Sequence, residues 1–271
     1  MKEKEKAIVY LQGGFGNTLF QLVAYLTISN QIQSCYLVTD LTKKNLFTKI
    51  LGWKIHDNMY PDLLNFMKIE TKSLNLIQIF THLILGKISK VSKRSLFGVY
   101  FFSDELNTTL FENVNFGYYQ SKNFLHSNRL YVVELGKNIY HTYRNDKIKL
   151  KTGIAVHIRL GDSIWAKKHS GYYENVISIL KQTNEPFTVI TDSIADAKIL
   201  FEKFENVEYQ CNSAKHDFSL MLSANTLFMA PSTFSYWAGV ALQSYEKIYM
   251  PRYLYDKLGF PHKHDKLLIL D

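Results

Sequence analysis

The feature that most limits the fold of this chain is a repeated switch between short β-branched runs and helical apolar periodicity, clearest in its second half. Residues 154–158, 187–191, 227–230 and 247–250 read as strands; 173–182, 194–204, 217–224 and the stretch from 234 read as helices. That is the rhythm of a parallel sheet wrapped by helices. The chain opens the same way, with a strand at 7–12, a glycine turn and a helix from about 18 carrying Leu19, Leu22, Val23 and Leu26 on one stripe. A second strand follows at 35–39. Residues 45–150 are less regular and yield no detailed assignment. The polar stretch 144–151 precedes a fresh strand and sets an expected boundary there, giving two α/β domains, 1–150 and 151–271.

Hydrophobic residues make up 46% of the 271 and charged residues 21%, so the chain is globular rather than disordered. Two cysteines, Cys35 and Cys211, form neither a disulfide framework nor a metal spacing, and point to a reducing compartment. The net charge of +8 suggests an anionic ligand or surface. The apolar region 74–85 is broken by Asn75, Gln78, Thr81 and His82 and is followed by Lys87, Lys90, Lys93 and Arg94. It reads as an amphipathic surface helix with a solvated basic loop; peripheral attachment to an anionic membrane face is the sharper alternative.

Four constellations carry chemistry. Gly13-Gly14-Phe15-Gly16-Asn17 lies between a strand and a helix, where glycines permit close backbone approach and the helix start offers N–H groups to an anion. With Asp40 at the end of the next strand it partly matches a dinucleotide fingerprint, but Leu19 holds the third glycine position. A tight turn with no ligand explains it equally well.

His157-Ile-Arg159-Leu-Gly161-Asp162 closes a strand. Alternation puts His157 and Arg159 on one side, a pair suited to gripping phosphate. Thr191-Asp192 follows another strand; the carboxylate could accept from guanine N–H groups or ribose hydroxyls, or simply cap a helix. Ser232-Thr233-Phe234-Ser235-Tyr236-Trp237 puts hydroxyls at a helix start, a phosphate seat or an ordinary cap. No Asp-x-Asp pair is present to bridge a diphosphate through a metal; His262-x-His264 could bind a metal, but two histidines in a polar tail are usually just that.

Together with Phe20-Gln21, these four motifs resemble, in order and spacing, the bacterial α-1,2-fucosyltransferases of glycosyltransferase family 11. The resemblance implies a GT-B-like architecture of two Rossmann-type domains facing a cleft. It implies an inverting, metal-independent transfer from GDP-fucose to a galactose hydroxyl, without a cofactor, in surface polysaccharide or LPS-type glycan synthesis. The donor site would use Gly14, Gly16, Asn17, His157, Arg159, Asp192, Ser232, Thr233 and Phe234. Arg159 would hold the diphosphate, and Asn17 would reach across the cleft. Asp162 is the nearest candidate for a general base, or else orients Arg159. The chain departs from the family pattern at Leu160, where a second Arg is common, and at Ser163, where an aromatic is common. The resemblance places the protein in the cytoplasm, with a lipid-linked acceptor and contact at the inner membrane face as its extensions. Two other classes remain as readings of the residues: an NAD(P)-dependent oxidoreductase using Gly14-x-Gly16 and Asp40, and a non-catalytic nucleotide- or nucleic-acid-binding module. No nucleic-acid motif supports the last.

Overall fold

The computed structural model describes residues 6–32, 34–42, 59–92, 97, 99–102, 114–161, 170–261 and 266–271. Asp162, Ser163, Lys93, Arg94, His262 and His264 lie outside them. The chain divides into two compact units, Met1–Val132 and Val133–Asp271.

The first unit opens with β1 (Lys6–Tyr10), α1 (Phe15–Ser29) and β2 (Ser34–Val38), then a short 3-10 turn at Asp40–Thr42. After it come α2 (Tyr60–Phe66), β3 (Thr71–Lys72), α3 (Leu76–Ser92), β4 (Val99–Phe102), β5 (Val114–Gly117) and α4 (Lys122–Ser127). Its sheet is parallel, in the order β3-β2-β1-β5-β4. Tyr10, Val38, Leu41, Ile79, Val99, Val114 and Phe116 form one core cluster, in which Tyr10 stacks on Phe116 at 4.2 Å. Helix α1 starts at Phe15, three residues ahead of the expected start, because Gly14 accepts the first helical N–H bonds from Asn17 and Thr18.

Helix α5 (Arg129–Tyr143) leads into the second unit: β6 (Ile154–Ile158), α6 (Ser170–Thr183), β7 (Phe187–Thr191), α7 (Ile194–Leu200) and β8 (Val207–Gln210). Then follow α8 (Ala214–Met221), β9 (Thr226–Phe228), α9 (Thr233–Ala241), β10 (Lys247–Pro251), α10 (Arg252–Leu258) and β11 (Leu267–Leu270). This sheet is also parallel, in the order β11-β10-β9-β6-β7-β8. Every residue of β6 and β7 is buried, as strands covered on both faces must be. On β6, Ile154, Val156 and Ile158 pack with Tyr172, Val176 and Leu180 of α6 on one face. His157 points to the other, where its ring meets Phe234.

The units part within α5, ahead of the boundary expected at residues 150 and 151. The polar stretch before β6 is not a linker but a strap on the second unit. Tyr143 packs edge-on against Phe218 at 5.8 Å, and Ser219 and Ser223 accept the N–H groups of Asn145 and Leu150 at 3.2 and 3.0 Å. A Cβ at Gly136 would stand 3.0 Å from the Val240 carbonyl, so α5 presses close on α9.

Candidate active site

In an open parallel sheet, ligands gather at the carboxyl ends of the strands, where the strand order reverses direction. In the second unit the chain runs outward from β6 through β7 and β8, then returns to the other side of β6 with β9, β10 and β11. The reversal lies between β6 and β9. Three of the four motifs end strands at or beside this point: His157–Gly161 closes β6, Asp192 follows β7, and Ser232–Phe234 follow β9 into α9.

The turn after β6 is held by a carboxylate. Asp192 Oδ1 accepts the N–H groups of Leu160 and Gly161 at 2.8 and 3.0 Å. A Cβ at Gly161 would stand 2.7 Å from Asp192 Oδ2, so only glycine allows this approach. The Arg159 N–H is met by the Tyr173 hydroxyl at 3.4 Å. Asp192 therefore positions the Arg159 turn through Oδ1. The expected helix-cap alternative falls instead on Ser193, the N-cap residue of α7, whose hydroxyl donates to Asp196.

His157 is 9% exposed, and its Nδ1 is buried with no hydrogen-bond partner. Burial pushes the imidazole down to about 4; the nearby Asp192 charge opposes that shift and the Arg159 charge adds to it. The ring is neutral at physiological pH, so one nitrogen can donate and the other accept. A buried polar atom with no partner carries a cost that a ligand at this strand end would remove.

Across the reversal, Ser232 caps α9: its Oγ accepts the Phe234 N–H at 3.2 Å, leaving its O–H to donate. Ser235 donates back to the Ala230 carbonyl at 3.0 Å and fixes the entry to the helix. The aligned peptide dipoles of α9 put partial positive charge at this end. Phe234 stands between His157, at 5.8 Å, and Phe218, at 5.1 Å, so the ring expected at the donor locks the histidine in place. Thr233 is half-buried in the first turn.

The first unit has its own reversal, between β1 and β5, and the glycine loop sits there. Gly13 has φ +84°, and a Cβ at that position would stand 2.9 Å from Asn17 Nδ2. Asn17 Oδ1 accepts from Gln120 Nε2 at 2.8 Å, just past β5. Gln21, fully buried, accepts from the Gln12 N–H at 2.8 Å and donates to the carbonyls of Gln12 and Gly117. It stitches the ends of β1 and β5 to α1. Gly14 caps the helix and Gly16 is buried in its first turn. The end of β5, with Gln120, was invisible to sequence reasoning, because its place beside β1 depends on long-range strand order. Tyr173 was likewise missed at its contact with Arg159.

The carboxylate on which a dinucleotide reading depends is engaged within the chain. Asp40 Oδ1 accepts from Ser73 Oγ at 2.8 Å and Oδ2 from the Leu74 N–H at 3.2 Å. Leu19, at the third glycine position, is fully buried against the sheet.

The model of the family "Glycosyl transferase family 11" matches residues 3–266, and the chain belongs to that family. It is a glycosyltransferase. It is 25% identical over 276 residues to the O-antigen biosynthesis glycosyltransferase WbnK of Escherichia coli, covering 87% of this chain and 90% of WbnK. Among solved structures, it is similar to the NodZ α-1,6-fucosyltransferase soaked with GDP-fucose (14% identity, 90% of this chain and 94% of that one, TM-score 0.42). NodZ is from Bradyrhizobium. It is also similar to the E. coli heptosyltransferase WaaC with ADP (11% identity, 97% and 92% covered, TM-score 0.48).

Proposed function

We propose that the protein transfers L-fucose from GDP-fucose, with inversion and without a metal ion, to a hydroxyl of a glycan acceptor, O-2 of a galactose. The observation that carries this reading is the turn after β6, where a carboxylate holds two backbone N–H groups and so fixes the backbone next to Arg159, on the strand that neighbours the one leading into α9. Guanidinium and helix N-terminus together supply the positive potential that a departing diphosphate needs. Arg159 takes the diphosphate, and Ser232 and Thr233 donate to its oxygens. His157, neutral and with an unpartnered nitrogen, lies against the sugar or the phosphate next to it.

In the reaction the acceptor oxygen attacks the anomeric carbon while the bond from that carbon to the phosphate oxygen breaks. GDP leaves with the electron pair, and the acceptor proton passes to a base, assigned to Asp162. Membership in the family supports sugar transfer, and the printed role of WbnK supports a surface-polysaccharide or LPS-type acceptor.

The test is GDP release from GDP-fucose in EDTA with lactose as acceptor, with the product linkage read by NMR. An α-linked fucose on galactose O-2 is expected. Absence of release, together with no thermal stabilisation by GDP, overturns the donor assignment. Stabilisation by GDP without turnover keeps the nucleotide and refutes the acceptor.

A further inference from the structure

Helix α3 is apolar on two sides: Ile79, Leu83 and Leu85 pack into the core of the first unit, and a second apolar stripe faces away from it. An ordinary surface helix buries its apolar stripe and shows its polar face to water. Here the side turned inward carries Ile79, Gly86 and Ser89, all buried. Its rotation is fixed by specific contacts: the Tyr10 hydroxyl and His82 Nδ1 share a hydrogen bond of 2.9 Å, and a Cβ at Gly86 would stand 3.1 Å from the Phe116 ring. The opposite side carries Leu76, Ile77, Phe80, Ile84, Ile88 and Val91, with exposures of 58, 80, 55, 44, 49 and 85%. From Ile77 onward their spacing of three, four, four and three residues makes one continuous stripe. The expected surface helix is therefore present, but with a second apolar face turned outward.

We infer that the outward stripe of α3 seats on the surface of an anionic lipid bilayer, lying in the interface with its axis parallel to the membrane. Charge selects this occupant. The helix contains Lys87 and Lys90 and no acidic residue, and the whole chain carries +8. A second copy would set two basic, carboxylate-free helices against each other, whereas anionic headgroups suit such a helix. Seventeen residues give a helix about 25 Å long, a suitable footprint for interfacial seating. Among the described residues no helix is long and apolar enough to cross a membrane, so this contact is of the lying kind. The stripe is independent of the donor assignment and would bring the enzyme to a lipid-borne acceptor.

The test is co-sedimentation of the full chain with phosphatidylcholine vesicles, alone or with roughly one-third phosphatidylglycerol. The wild type is expected to partition onto the anionic vesicles about tenfold or more better than onto the neutral ones, and to release at high salt. Ile77→Gln/Phe80→Gln/Val91→Gln should lower anionic binding about tenfold or more, with unchanged melting temperature and unchanged GDP release on a soluble acceptor. Lys87→Gln/Lys90→Gln should weaken binding to anionic vesicles alone. Failure of the wild type to bind, or binding indifferent to the triple substitution, overturns the inference. A dimer that the triple substitution dissociates, without any vesicle binding, reassigns the stripe to self-association. Because binding is read without turnover, loss of fucosyl transfer leaves this result standing.

Discussion

The two strand-order reversals of this protein are built from the same parts, a parallel strand, a glycine-bearing turn and a helix, yet their chemistry differs. After β1 the turn is lined with neutral amides: Asn17, Gln21 and Gln120 bond to one another or to backbone. After β6 the turn carries an arginine, a buried histidine with an unpartnered nitrogen and a carboxylate holding two N–H groups. A switch point marks where a ligand can sit, but its residues decide which charge it accepts. The second is prepared for an anion; the first is an uncharged scaffold whose polar groups are largely used within the fold.

If that contrast is right, the largest effect should come from Arg159→Ala. Acceptor-dependent GDP release should fall by on the order of 10²–10³-fold, as expected when a preorganised cation is withdrawn from a leaving group. An equal fall from Asn17→Ala would erase the distinction between the turns. Next comes Gln21→Leu, which strips the Gln12 N–H and the Gly117 carbonyl of their buried partner. Unfolding by urea should show a loss of about 2–4 kcal/mol, while GDP affinity per folded molecule stays near wild type. Gly161→Ala forces a Cβ against the Asp192 carboxylate and should cost on the order of tenfold in GDP release. Combined with Asp192→Ala, it should add little, since both break one contact.

The smallest effect is a pH dependence. His157 is held down to about 4 by burial, below the unfolded value of 6.5, so between these values the unfolded chain binds the extra proton. The stability due to keeping His157 neutral is complete above pH 6.5, falls as pH drops towards 4 and levels off below it. Melting temperatures across that window should show a shallower acid slope in His157→Asn than in the wild type.

Much of this arrangement is legible in the sequence, because buried parallel strands have few alternatives. The strands at 154–158 and 187–191 fall where the apolar runs predict. Helix α8 begins at Ala214 rather than 217 because Ser213 caps it, its side chain accepting from the His216 N–H. The short edge strand β8, Val207–Gln210, is half-buried and mixed in polarity, so periodicity does not reveal it. Among the site residues, His157, Arg159 and Ser232 could be named because their motifs are local. The bracing of the turn by Asp192, its contact with Tyr173 and the meeting of Asn17 with Gln120 depend on strand order, which a single sequence does not display. The helical periodicity of α3 is legible in the sequence; only the packing of Gly86 on Phe116 and His82 on Tyr10 reveals which apolar stripe is outward.

The most direct test of the central claim is calorimetric titration of GDP, in EDTA, into wild type, Arg159→Ala and Asn17→Ala. The β6 turn as the diphosphate grip predicts that the wild type binds, that Arg159→Ala loses most of the affinity and that Asn17→Ala retains most of it. Binding to Arg159→Ala with wild-type affinity would contradict the account.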